Sequence, residues 1–115
     1  MSNIKEMIYK TEDKLLEIGI DPSLSGFRYI VDCVVYCLLH CVNVGNISVT
    51  NELYPTVAQQ NKTSALRVER CIRVAIEKAF SNTTNFPKAL ISVASGKVTN
   101  GTFIAYVVLM MQREI

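Results

Sequence analysis

Arg67, Arg70 and Arg73 recur at every third residue, with Glu69 and Glu77 among them, in a segment without glycine or proline from Ala65 to well past Phe80. A guanidinium is planar and presents a fork of N–H donors. It can pair with guanine O6 and N7 in the DNA major groove, or clamp a phosphate. Glu69 can accept from a cytosine amine or hold a neighbouring arginine in position. This chemistry requires the side chains to share one face of a rigid element. At about 100° per residue, Thr63, Arg67, Arg70, Arg73 and Glu77 gather on one helical stripe. Val68, Cys71, Ile72, Ala75 and Ala79 gather on another, which is expected to pack on a core while the first faces outward.

The elements that must position this helix lie just before it. Thr63 or Ser64 supplies an N-cap, whose side-chain oxygen accepts from an unpaired backbone N–H. A short helix is expected from about Glu52 to Gln60, with Pro55 in its first turn, where a proline removes no helix hydrogen bond. Gln59-Gln60-Asn61-Lys62 ends it as a polar turn. Ala58, Val68 and Cys71 are small or branched where the two helices must cross closely. The usual turn glycine is absent, and Lys62 occupies about that place. Helix, turn and helix from about 52 to 80 form the helix-turn-helix pattern, which sets a recognition helix (about 64–80) into the major groove. Lys62, Thr63 and Ser64, near that helix's N-terminus, are candidates for phosphate contact.

Charge is distributed accordingly. The net charge of +2 is too small to be diagnostic. Residues 1–61 carry four Lys/Arg against seven Asp/Glu, whereas residues 62–78 carry five against two. A basic patch on a mildly acidic or neutral body is the footprint of a DNA reader.

The remaining segments imply an all-α chain. A first helix is expected from Ile4 to Ile18, ended by Gly19. A second runs from about Leu24 to Val44 after the Asp21-Pro22-Ser23 turn, and Gly45-Asn46 closes it. A short helix is expected from Phe86 to Val93, and a last one, capped by Thr99 or Asn100, through Met111. Ile47–Thr50 and Phe103–Leu109 are rich in branched residues and keep a strand alternative open. The 115 residues suffice for one small core and one domain spanning 1–115.

Nothing in the sequence arranges a nucleophile with a base and an orienting group, and there is no phosphate-binding glycine loop or dinucleotide fingerprint. No enzyme activity and no cofactor are expected. Cys33, Cys37 and Cys41 stand four apart with His40 beside them, and Cys71 lies on the arginine helix. Thiols stacked along one helix converge poorly on a tetrahedral ion and make poor disulfide geometry. They are expected to fill the core, with no metal bound. No signal peptide is evident, so a reducing cytoplasm, close to the nucleoid, is the expected compartment. From Tyr29 to Val42 only Asp32 and His40 are strongly polar, and fourteen residues are too few to span a bilayer. No membrane partner is expected.

Leu53-Tyr54-Pro55, Val57-Ala58 and Arg67-Val68-Glu69-Arg70-x-Ile72-Arg73-x-Ala75-Ile76-Glu77 together resemble a known family. It is the DNA-binding effector domain of the master sporulation response regulator of endospore-forming bacteria. Ile18-Gly19-Ile20, Gly26-Phe27-x-Tyr29 and Thr99-Asn100-x-x-Phe103-Ile104-Ala105 extend the resemblance in the same order over nearly the whole chain. It implies a six-helix bundle with the helix-turn-helix in helices three and four, and a DNA-contacting set at Arg67, Glu69, Arg70 and Arg73. It also implies apolar residues at the places of the first three cysteines. The family's regulator carries a phosphorylated receiver domain. None is found in this sequence, so for a chain complete as given control by phosphorylation in cis is not expected.

The departures from the family fall where they would change readout. Leu66 replaces a serine and Val74 a histidine, both on or beside the arginine face and both suited to thymine methyls. Asn61 replaces an aromatic near the turn. Val31, Val35 and Leu39 replace polar or charged residues, leaving the second helix apolar nearly all round. That helix is either wrapped by its neighbours or offers an extra face to a second copy or to a full-length regulator. The expected partner is double-stranded DNA, with tandem or dimeric binding and contact with RNA polymerase as further candidates. The alternative is an antagonist that binds the full-length regulator through its second helix.

Overall fold

The computed structural model describes residues 3–40, 49–82, 86–91 and 96–114. Its α-helices are α1 (Ile4–Ile18), α2 (Ser25–Leu39), α3 (Tyr54–Gln60), α4 (Ala65–Asn82) and α5 (Asn100–Glu114). Helix α1 begins and ends where local chemistry dictates. Asn3 Oδ1 accepts from the Glu6 N–H at 2.8 Å, satisfying one orphan donor of the first turn. At the other end Gly19 takes φ 106, and its N–H and that of Ile20 return to the Leu15 carbonyl. A left-handed residue at that place is the usual glycine stop. Before α2, Asp21 Oδ1 accepts from the Ser23 N–H and hydroxyl at 2.9 and 2.7 Å.

Helix α2 is the axis of the molecule and packs against each of the other four α-helices. Ile30, Val31, Cys33, Val34 and Cys37 are wholly excluded from solvent, and Val35 nearly so. This accounts for most of its apolar sequence: the helix is enclosed except along the stripe of Arg28, Asp32 and Tyr36, which reaches solvent. Leu39, at its end, is exposed. The closest approach is to α4. A Cβ on Gly26 would overlap the Cys71 carbonyl oxygen and lie 2.8 Å from Ala75 Cβ. Only a glycine lets these two backbones come so near. Below them, α5 contributes Phe103, Ile104, Val107 and Met111 to the same core. Each such side chain, fully buried, stabilises by roughly 1.5–3 kcal/mol.

The described residues contain five α-helices rather than the expected six. Where Phe86–Val93 was expected to be helical, only a 3₁₀ turn at Lys88–Leu90 forms, between extended Pro87 and extended Ile91; residues 92–95 lie outside the described part. Packing competes with helix here. Phe86 is buried and stacks on both Phe80 and Phe103 at centroid distances of 5.5 and 5.8 Å. Pro87 then has no N–H to donate.

Residues 41–48, which include Cys41, the end expected for α2 and the Gly45-Asn46 closure, also lie outside the described part. No strand occurs among the described residues. Phe103–Leu109 lies within α5, and 49–50 within a π-helical turn, Val49–Leu53, that leads into α3. No described helix is long and apolar enough to cross a membrane.

Candidate nucleic-acid interface

Helix α3 carries Pro55 in its first turn, as its sequence requires. It ends in a Schellman motif. The Thr63 N–H reaches the Ala58 carbonyl at 2.9 Å, and the Lys62 N–H reaches that of Gln59 at 3.3 Å. This geometry needs a left-handed residue, and Lys62 provides it with φ 54, the only non-glycine residue with positive φ among those described. The lysine that stands in the usual glycine place therefore adopts the glycine conformation. Such a backbone costs about 1 kcal/mol for a residue with a Cβ.

Ser64 is the N-cap of α4, its hydroxyl accepting from the Arg67 N–H at 3.1 Å. The helix then runs eighteen residues without interruption. Val68, Ile72, Ala75, Ile76 and Ala79 are buried, while Cys71, expected among them, is half-buried at the α2 crossing. Leu66, Arg67, Arg70, Arg73, Val74 and Glu77 are exposed, as are Lys62 and Ser64 beside them; Thr63 and Glu69 are half-exposed. Leu66 and Val74 keep 57% and 48% of their surface in solvent, so neither serves the core.

The three guanidinium groups differ in their engagement. Arg73 Nη1 lies 3.1 Å from Glu69 Oε1, one turn earlier. Both groups are partly exposed, so this pair contributes only a few tenths of a kcal/mol, about 0.3–0.5, and does not lock the arginine away. Arg67 and Arg70 make no ion pair with any described residue. Arg70 is at the centre of the exposed face, flanked by Arg67, Arg73 and Val74.

Two connections fix this helix pair to the body. Asn61 Nδ2 donates to Asp32 Oδ2 in α2 and to the Val57 carbonyl, both at 2.9 Å. A polar fastening thus holds the turn to the body. Burial raises the Asp32 carboxyl above its ordinary value, opposed by the Asn61 bond and by Arg28. The second connection comes from α5: Asn100 Nδ2 donates to Tyr54 Oη at 3.0 Å and to the Glu69 carbonyl at 3.1 Å. Burial pushes the Tyr54 hydroxyl up to about 12, so it stays neutral at physiological pH.

Neither connection follows from a local sequence pattern. Asn61 and Asp32 are twenty-nine residues apart and Asn100 and Tyr54 forty-six, and no local pattern announces a partner at that range. Cys33 and Cys37 are buried thiols. Burial raises both, Cys37 to about 11, so neither is a thiolate near neutral pH.

The family model described as sporulation initiation factor Spo0A C terminal matches residues 11–111.

Proposed function

The chain belongs to the Spo0A C-terminal family, and from that premise we propose that it is a sequence-specific DNA-binding transcriptional regulator. The family is one of DNA-binding effector domains of a sporulation regulator. In this chain α3, the Lys62 turn and α4 act as the helix-turn-helix, and α4 enters the major groove. Arg67 and Arg70 read bases, Arg73 does so steadied by Glu69, and Leu66 and Val74 meet thymine methyls. Lys62, Thr63 and Ser64 contact phosphate at the start of the helix. Tandem binding of a second copy and contact with RNA polymerase belong to the same proposal.

The observation that carries this reading is the state of Arg67 and Arg70. Both are exposed and unpaired among the described residues, on the one face of α4 that the core leaves open. The antagonist reading finds less support, because Val31 and Val35 of α2 are spent on the protein's own core.

Selection of bound sequences from a random duplex pool tests the proposal. The expected result is a defined site, related to the family's but altered at one or two positions, with affinity falling steeply as salt rises. Recovery of no preferred sequence overturns it.

A further inference from the structure

We propose that the Asn100 carboxamide is a positioning residue for DNA readout, setting α3 and α4 against each other through the hydrogen bonds it gives to Tyr54 and to the Glu69 carbonyl. This rests on the DNA-binding reading above and goes beyond it, because Asn100 lies on neither helix of the reading unit.

The start of α5 shows why this residue is available. Thr99 and Asn100 are both good N-cap types. Thr99 takes the cap, its hydroxyl oxygen accepting from the Thr102 N–H at 3.2 Å. Asn100 becomes the first residue of α5 and is left 9% exposed. A carboxamide nitrogen carries two protons whose directions are fixed in one plane. Here one goes to the first residue of α3 and the other to the second turn of α4.

The apolar contacts along these helices are non-directional and would tolerate a small slide or rotation. Hydrogen bonds of about 3 Å are directional and would not. The grip on α4 is also well placed. Glu69 offers Asn100 its carbonyl, while its carboxylate holds Arg73 at 3.1 Å. One residue therefore joins the buried template to the arginine face. Base readout tolerates displacements of only about 0.5 Å, whereas phosphate attraction does not depend on such detail.

Loss of the template should therefore reduce discrimination between DNA sequences more than it reduces DNA binding. The test uses the full chain with two probes of equal length, the best duplex recovered by selection and a scrambled duplex. Fluorescence anisotropy gives both affinities, corrected by stoichiometric titration for the active fraction. Asn100→Leu is expected to lose about tenfold or more on the selected duplex and less than about twofold on the scrambled one. Asn100→Ser, which is less demanding on folding but too short to reach both partners, is expected to behave likewise. Tyr54→Phe keeps the Glu69 bond and should fall between wild type and Asn100→Ser.

Equal losses on both duplexes, or unchanged discrimination in Asn100→Ser, overturn the positioning role while the DNA reading stands. A wild-type chain that binds neither duplex overturns the DNA reading and this inference with it.

Discussion

Asn61 and Asp32 join the turn before the arginine helix to the central helix of the bundle, amide nitrogen to carboxylate oxygen at 2.9 Å. The turn is fastened to α2 as well as spanning two helices, and the fastening is titratable. Burial holds the Asp32 carboxyl above its ordinary value of 3.8. An acid whose folded pKa is raised binds its proton more tightly in the folded chain than in the unfolded one. Its contribution is present below the unfolded value and lost as pH rises through the folded one. Asp32→Asn should remove that slope. In thermal melts between about pH 3.5 and 7, the stability of Asp32→Asn relative to wild type should rise with pH and then level off. Asp21, lowered by its Ser23 bonds, acts in the opposite sense in both proteins and cancels in the difference. A difference that falls with pH would contradict this account.

Gly26→Ala should be among the most damaging small substitutions in the chain. The added methyl meets the Cys71 carbonyl and Ala75 Cβ, and neither is the movable end of a flexible side chain. Overpacking of this kind costs about 3 kcal/mol or more when backbone must shift. Chemical denaturation should show a lower midpoint, with DNA affinity falling in step because α4 is displaced.

Lys62→Gly should separate stability from binding. Glycine adopts φ 54 freely, so the melt should move upward, by roughly 0.5–1 kcal/mol in free energy. Loss of the ammonium should weaken DNA binding and reduce the slope of log K against log salt by about 0.9. An unchanged slope would mean that Lys62 touches no phosphate.

Arg70→Ala should leave the melt within about 0.5 kcal/mol of wild type, since its guanidinium has no partner to lose among the described residues. On the selected duplex the same change should cost about 1–3 kcal/mol and relax preference at one base position. Competition binding with single-base variants of the site measures both quantities.

Leu66→Ser combined with Val74→His puts at two exposed positions the polar residues that the resemblance implies. The expected outcome is a shift in the ranking of operator variants, worth about 1–3 kcal/mol for each contact altered. Identical rankings before and after would place both side chains away from the bases.

The arginine face was legible because charge and apolarity alternate with the helical period over four turns, and no proline or glycine intervenes. The stop at Gly19 was legible as well, because a left-handed C-cap is a local event with a local residue preference. The same held for Lys62, whose place was defined by the glycine it lacks. The apolar surround of α2 left two explanations open, since a sequence records that a face is apolar but not what covers it. Long-range polar connections were illegible for a different reason. The side-by-side caps Thr99 and Asn100 look equivalent until tertiary structure assigns one outward and the other inward. The expected sixth helix failed among the described residues for a related reason. The burial of Phe86 between Phe80 and Phe103 decides the path there, and local propensity does not see it.

Leu66 and Val74 keep about half of their surface in solvent and take no part in the buried core, and this bears on how such a chain could diverge. Changes there escape the purifying pressure that folding exerts on Gly26 or Phe103. Under the proposed reading, a duplicated copy would change its preferred sites through these two places while its scaffold stayed as inherited.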